Sequence, residues 1–308
     1  MKVTRNILWM LFAAYVMLAI QQAHAQAGSS GLSFLKLGVS GRGISMSDAM
    51  SAIVRGAAAT HYNPAGIYTP GEPSTQIVLM HREWIQDVRS EFLGATTALG
   101  DDAALGFAVY TATVSDIPIR TRPGTAEGTF SSRDLSIGLS YARTLSDDLK
   151  VGITAKYLFE KIFLDIASGF AFDFGAQYQT SIEHLSLGLA LTNIGTMNEM
   201  AREKVTLPSS LRIGPAYSFS IEDISSQLTV ASDLLHIFPE KKSYVGVGGE
   251  LMFNKSLAAR TGYLFGSSGR GLSAGVGVSY GLFNFDYGFA SLASNLGSGH
   301  TFSLSLNF

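Results

Sequence analysis

The chain has 308 residues, a formal net charge of −2, 15% charged residues and no cysteine. The near-neutral balance lacks the clustered Lys and Arg that phosphate neutralisation needs, which excludes nucleic acid as a partner. The absence of thiols excludes disulfides, thiolate metal sites and a lipoprotein anchor. Soluble domains carry about 25% charged residues; here the deficit is filled by small residues, with 33 Gly and 11% aromatics, and mean hydropathy reaches only +0.22.

Residues 1–25 read as a signal peptide. Lys2 and Arg5 supply the positive start, Ile7 to Ile20 the apolar core, and Ala23-His24-Ala25 a small-x-small cleavage site. The core is closed by Gln21 and Gln22 and is short for a spanning helix. No uninterrupted apolar stretch in the remainder is long enough for one, so membrane residence must come from a barrel. The domain scheme is then 1–25 signal peptide, 26–73 N-terminal segment and 74–308 barrel.

The N-terminal segment does not alternate. Ser45 to Val54 has Met46, Ala49, Met50 and Ile53 at i, i+3, i+4 and i+7 spacing, expected to form a short helix. Thr60 to Gly66 reads as a turn, because Asn63-Pro64 and the following Gly66 both interrupt regular structure. This piece is either a periplasmic arm or a hatch plugging the lumen. The second is favoured, because the small inward residues Gly138, Gly152, Gly175, Gly188, Gly214, Gly262, Gly275 and Gly277 let polypeptide approach the wall closely.

From about Ser74 the sequence alternates with period two. Leu135, Ile137, Leu139 and Tyr141 alternate with small residues, as do Leu185 to Leu191 and Phe283 to Phe289. About 14 strands are expected, near 74–85, 88–99, 102–114, 133–145, 149–162, 168–180, 183–194, 206–219, 225–237, 242–254, 256–266, 270–281, 283–293 and 299–308. The fold class is therefore all-β, a 14-stranded antiparallel transmembrane β-barrel with an N-terminal hatch in its lumen. Long connections are expected at 115–132 and 195–205 on the outer side, with short turns inside. Pro215 removes a ladder donor and needs a bulge or a local gap.

Lys156, Glu160, Asp173, Arg212, Asp233, Glu250, Arg260 and Asp286 sit on the face opposite the large apolar residues. A charge facing lipid at the midplane costs roughly 2–4 kcal/mol, so this face is assigned to the lumen, where the charges pair with one another or with the hatch. A soluble sandwich would reverse the faces. The segments exceed the usual soluble strand of about 5–6 residues, and their small faces are Gly, Ser and Ala rather than solvated Lys and Glu. Phe302, Leu304, Leu306 and Phe308 end the chain as the lipid face of the closing strand; resemblance to other outer-membrane barrels implies that they form an assembly signal read by the insertion machinery.

Phe34-Leu-Lys-Leu-Gly38, Gly41-Arg42-Gly-Ile-Ser-Met46 and Asn63-Pro64-Ala65-Gly66 resemble the opening of the PorV/PorQ family, an outer-membrane group related in fold to the FadL fatty-acid transporters. The resemblance continues through Phe172 to Gly175, Leu189 to Gly195, Leu207 to Gly214 and Ala259 to Tyr263, so it covers nearly the whole mature chain. It implies a 14-stranded barrel with a hatch carrying Arg42, Met46, Asn63, Pro64, Ala65 and Gly66. It also implies a component of type IX secretion. The chain is short for the shuttle-type member, which points to the smaller PorQ-like role or an unassigned paralogue.

Gly271-Leu-Ser273-Ala-Gly275 matches the G-x-S-x-G pattern, but inside an alternating strand rather than at the strand-to-helix turn that pattern requires. Gly38 to Gly43 is Gly-rich without a βαβ context. His61, His81, His184, His236 and His300 show no metal-ligand spacing. Neither catalysis, a metal nor a cofactor is expected. The leading expectation is an outer-membrane component of protein export in a double-membraned bacterium, binding secreted cargo or other secretion subunits. The alternative is a FadL-like transporter of hydrophobic small molecules, with an apolar pocket between hatch and wall. Outer-membrane lipid and the barrel-assembly machinery are the partners common to both.

Overall fold

A computed structural model describes residues 30–71, 74–221, 225–293 and 296–308. The expected signal peptide and its cleavage near Ala25 lie outside these residues. The strands are β1 Thr75–Glu83, β2 Val88–Leu99, β3 Ala103–Ile119, β4 Gly128–Ser146, β5 Leu149–Ile162, β6 Asp165–Gln179, β7 Leu185–Met197, β8 Ser210–Ile221, β9 Ser226–Ile237, β10 Lys242–Phe253, β11 Leu257–Phe265, β12 Arg270–Tyr280, β13 Phe283–Leu292 and β14 Ser298–Asn307. Each pairs antiparallel with its neighbour, and β1 pairs with β14 from Gln76↔Asn307 to Glu83↔His300, which closes the barrel.

Period-two alternation sorts the side chains. Leu139, Phe170, Phe172, Phe174, Val276 and Phe285 point outward and are exposed on the isolated chain, whereas Lys156, Asp173, Asp233 and Arg260 are buried inside. An apolar band outside a closed sheet is the arrangement that satisfies every backbone group within lipid. The end carrying the termini of the sheet and short turns such as 147–148 and 281–282 is termed inner; the end carrying 120–127 and 198–209 is outer.

Two connections differ from those that the alternation predicts. β3 continues to Ile119 and β4 starts at Gly128, so the expected loop at 115–132 contracts to 120–127. A register shift between Val114 and Ile117 breaks the period there, and this bulge hides the strand in the sequence. At the expected 195–205 loop, β7 runs to Met197 and a small hairpin pairs Glu199–Met200 with Glu203–Lys204. Its turn residues Ala201 and Arg202 have φ of 49° and 73°. At Pro215 the ladder to β9 skips Gly214 and Pro215 without losing register, which is a local gap.

The segment before β1 threads the lumen from one end to the other. Gly31 N–H donates to the Thr206 carbonyl at 3.0 Å at the outer end. The Tyr68 hydroxyl donates to the Asp101 carbonyl in an inner turn. Two short helices lie between, α1 Gly41–Ser45 and α2 Ala59–Tyr62. The expected helix over 45–54 is absent; α1 precedes it, capped where the Ser40 hydroxyl accepts from Gly43 N–H at 3.0 Å. Ser47 and Asp48, with φ of 52° and 59°, turn the chain out of helical geometry. Met46, Ala49 and Met50 are nevertheless buried, because a segment inside a barrel is covered on all sides.

Candidate functional site: the hatch and its anchors on the wall

The hatch is held by charged side chains projecting from the inner face. Arg42 of α1 donates to both carboxylate oxygens of Glu250 at 2.8 Å each. Arg260 donates to the same Glu250 at 2.5 Å and to Asp286 at 2.7 Å, extending the chain of charges across β10, β11 and toward β13. Alternate positions on adjacent strands place these groups on one face, and the Arg fork fits a carboxylate edge-on.

A second anchor lies on the neighbouring strands β8 and β9. Asp233 accepts from the backbone N–H of Met50 and of Ser51 at 2.9 Å each, and from the Ser51 hydroxyl. Arg212 donates to the Asp48 carbonyl at 2.6 Å and stands 3.5 Å from Asp233. Asp48 itself was not singled out in the sequence. It is buried in the hatch, paired with Arg270 at 2.8 Å and accepting from the Tyr62 hydroxyl at 2.8 Å. Arg82, also unforeseen, is fully buried in β1 and donates to the Gly38 carbonyl, to Thr301 at 3.2 Å and to the Tyr110 hydroxyl at 3.4 Å. Arg82 keeps the alternation of β1 and Asp48 lies in the non-alternating hatch, so only three-dimensional proximity reveals them.

The remaining lumen charges do not all hold the hatch. Lys156 pairs with Asp173 at 2.5 Å and donates to Asn193 at 3.0 Å, which ties β5, β6 and β7 to one another. Glu160 departs from the expected pairing with a cation. It lies directly opposite Asp134 on β4, so two carboxylates share one register position.

Asn63 organises the second half of the hatch. Its amide donates to the carbonyls of Ser51 at 2.8 Å and Ala176 at 3.0 Å, and its oxygen accepts from Ala65 N–H at 3.2 Å. Pro64 and Ala65 then lie on Gly152 and Gly175 of the wall, while Gly66 packs within the hatch against Val54. Met46 rests on Gly248 and Gly262, Ser45 on Gly275 and Ser51 on Gly188. Gly138, Gly214 and Gly277 instead face wall residues, so their smallness serves packing between strands.

Ser273 ties the wall to the hatch. Its hydroxyl lies 2.7 Å from that of Ser47 and donates to the Ser45 carbonyl at 3.0 Å, and the residue sits within β12. The terminal residues lie away from this site: Phe302 packs on Tyr287 at 5.2 Å, and Leu304 and Leu306 oppose Leu79 and Ile77 of β1. Phe308 closes the seam through its backbone to Thr75.

A space of about 330 Å³ opens at the inner end between Gly56, Ile67 to Gly71 and the wall residues Gln76, Thr96, Ala98 and Ala104. Higher in the lumen, two spaces of about 20 Å³ each flank His61. Their linings mix Leu35, Phe92 and Tyr110 with Lys36, Lys156 and Arg212.

No protein-family model matches the chain, and no curated protein matches its sequence. Solved structures do. The Pseudomonas putida toluene transporter TodX aligns with TM-score 0.64 at 13% identity, over 88% of this chain and 98% of its own. The fold is that of a FadL-like barrel. The CymD monoaromatic hydrocarbon channel aligns with TM-score 0.63 at 14% identity, over 91% and 99% of the two chains. A Pseudomonas aeruginosa FadL homologue aligns with TM-score 0.53 at 11% identity, over 87% and 97%. The FadL side of the sequence resemblance thus has a structural counterpart, at the level of fold.

Proposed function

We propose that the protein resides in the outer membrane and admits small hydrophobic molecules, with the hatch as its gate. The observation that carries this is a lumen occupied from end to end by one N-terminal segment inside a 14-stranded barrel of the FadL-like type. Proteins of this fold include a toluene transporter and a monoaromatic hydrocarbon channel. The spaces of about 20 Å³ beside His61 are too small for even a single aromatic ring. Passage therefore requires the hatch to shift, and its anchors set how readily it does so.

The chain has no cysteine, which allows a clean test. The Ser47 and Ser273 hydroxyls are 2.7 Å apart, close enough for a Ser47→Cys/Ser273→Cys pair to be bridged. Toluene uptake by cells carrying this variant should fall when the pair is oxidised and recover on reduction. Uptake that is the same with and without the protein, or indifferent to the bridge, would sink the proposal.

A second reading is favoured by the strength of the anchoring. Arg42, Asp48 and the Met50–Ser51 amides are each held by charged groups on the wall. A permanently plugged barrel suits a membrane-seated platform for export subunits or cargo, as the PorV/PorQ resemblance implies. The bridged variant would then secrete cargo as well as the parent protein, whereas deletion of the gene would abolish that secretion.

A further inference from the structure

On the outside of the barrel, the register brings cations to one height. Arg133 of β4 is directly opposite Lys161 of β5, and on its other side opposite Thr113 of β3, which is in turn opposite Arg89 of β2. Arg133 and Lys161 are exposed, and each shares its face with the outward residues two positions away, Leu135 and Phe159. Arg89 is offset by Glu83, its partner on β1. Arg133 and Lys161 therefore form the centre of the patch.

Like charges directly opposite each other on paired strands repel and weaken the sheet. Neither Arg133 nor Lys161 has a carboxylate partner among the ion pairs of the described residues. The outward Arg143 near the inner end of the same strand does have one, Asp102 at 2.7 Å. An outward cation on β4 is thus neutralised by protein at one boundary and left open at the other.

The height of the pair indicates what faces it. Two strand residues span roughly 7 Å, so both cations stand just beyond Leu135 and Phe159, with Lys161 two residues short of the outer turn at Phe163 and Leu164. Below them Tyr157 packs on Phe170 at 5.6 Å, an aromatic pair at the girdle position. Groups meeting a lipid-facing side chain at this level are head groups, and phosphate is their anion.

We propose that Arg133 and Lys161 bind the phosphate of an outer-leaflet lipid. The guanidinium takes two oxygens and the ammonium a third, while the acyl chains lie along Phe159, Tyr157 and Phe170. The site rests on outer-membrane residence but on neither the transport nor the export reading, so toluene uptake and cargo secretion are free to succeed or fail independently of it.

The test uses the purified, folded barrel and native mass spectrometry, with bis-phosphorylated lipid A as probe. Each surface cation contributes roughly fivefold to binding an anionic lipid surface. Lys161→Gln should therefore bind the probe about fivefold more weakly and Arg133→Gln/Lys161→Gln about 25-fold. Lys204→Gln, which removes an exposed cation from the outer hairpin, should bind as the parent does. The heat-dependent gel shift of a closed barrel verifies that each variant is folded, and the single variant suffices if the double does not fold. Equal retention of dephosphorylated lipid A, an unchanged double variant, or displacement by equimolar inorganic phosphate would each overturn the assignment.

Discussion

Arg42 of the hatch and Glu250 of the wall, 208 residues apart, meet as a two-pronged pair with both contacts at 2.8 Å. Glu250 is the more consequential partner, because it also accepts from Arg260 at 2.5 Å. The Arg42 side chain retains 29% exposure, whereas that of Arg260 retains 3%. Arg42→Ala leaves Glu250 paired with Arg260 and should cost about 1 kcal/mol, as partly solvated pairs do. Glu250→Ala leaves two guanidinium groups facing each other and should cost about 3 kcal/mol. Denaturant titration of hatch proteolysis, reading cleavage between 30 and 71, should rank them in that order; equal effects would contradict the shared-acid arrangement.

Close approach of hatch and wall predicts which glycines matter. A Cβ at Gly188 would fall on the Ser51 carbonyl, and one at Gly152 on that of Pro64. A Cβ at Gly249 would meet nothing within 4 Å. Backbone cannot yield as a flexible side chain can, so Gly188→Ala and Gly152→Ala should destabilise hatch seating by roughly 1–3 kcal/mol. Gly249→Ala should leave it unchanged. The readout is leakage of a small hydrophilic dye from proteoliposomes, expected to rise for the first two variants only.

The strands were legible because one lipid face and one small face write a period of two into the chain, as in Leu185 to Leu191. The period fails where lipid no longer dictates it. Past Val114 the bulged end of β3 stands in water, and Ser115 to Ile119 carry no pattern that marks them as strand. The hatch was legible only as a break in alternation. Its apolar residues are enclosed by the whole barrel, so the spacing of Met46, Ala49 and Met50 mimics a helical stripe without a helix. The alternation assigns the charges a face but says nothing of their partners. Nothing local tells Asp233 to cap the Met50 and Ser51 amides, or Asp48 to receive Arg270.

The outer end of the hatch should loosen in acid. Glu240, in the turn between β9 and β10, accepts from Ser30 and Lys36 at 2.6 Å each. Partial burial works to raise its carboxyl, but the hydrogen bonds and charge of Lys36 and the Ser30 hydroxyl outweigh it and hold the group below its ordinary range. A depressed carboxylate stabilises the folded arrangement above its unfolded pKa of about 4.3 and loses that contribution as pH falls through the folded value. Exchange at the Gly31 amide, which donates to Thr206 at 3.0 Å, should accelerate below about pH 4 after correction for intrinsic rates. Glu240→Gln should remove the pH dependence; a Gly31 amide equally protected at every pH would refute the latch.

A substitution at Phe308 tests folding and assembly separately. Its N–H donates to the Thr75 carbonyl at 2.8 Å and its carbonyl accepts from Thr75 at 3.2 Å, so the backbone, not the ring, closes the seam. The residue is 55% exposed at the barrel's edge, and a surface truncation of this kind changes stability by only about 0.5 kcal/mol. Reading of the terminal aromatic by the insertion machinery would make the ring matter before the barrel has closed. Phe308→Ala should therefore refold in detergent with an unchanged denaturation midpoint, while its yield in the outer-membrane fraction of cells falls several-fold. Equal cellular yield would show that the ring carries no assembly signal, and a lowered midpoint would place its role in the folded seam instead.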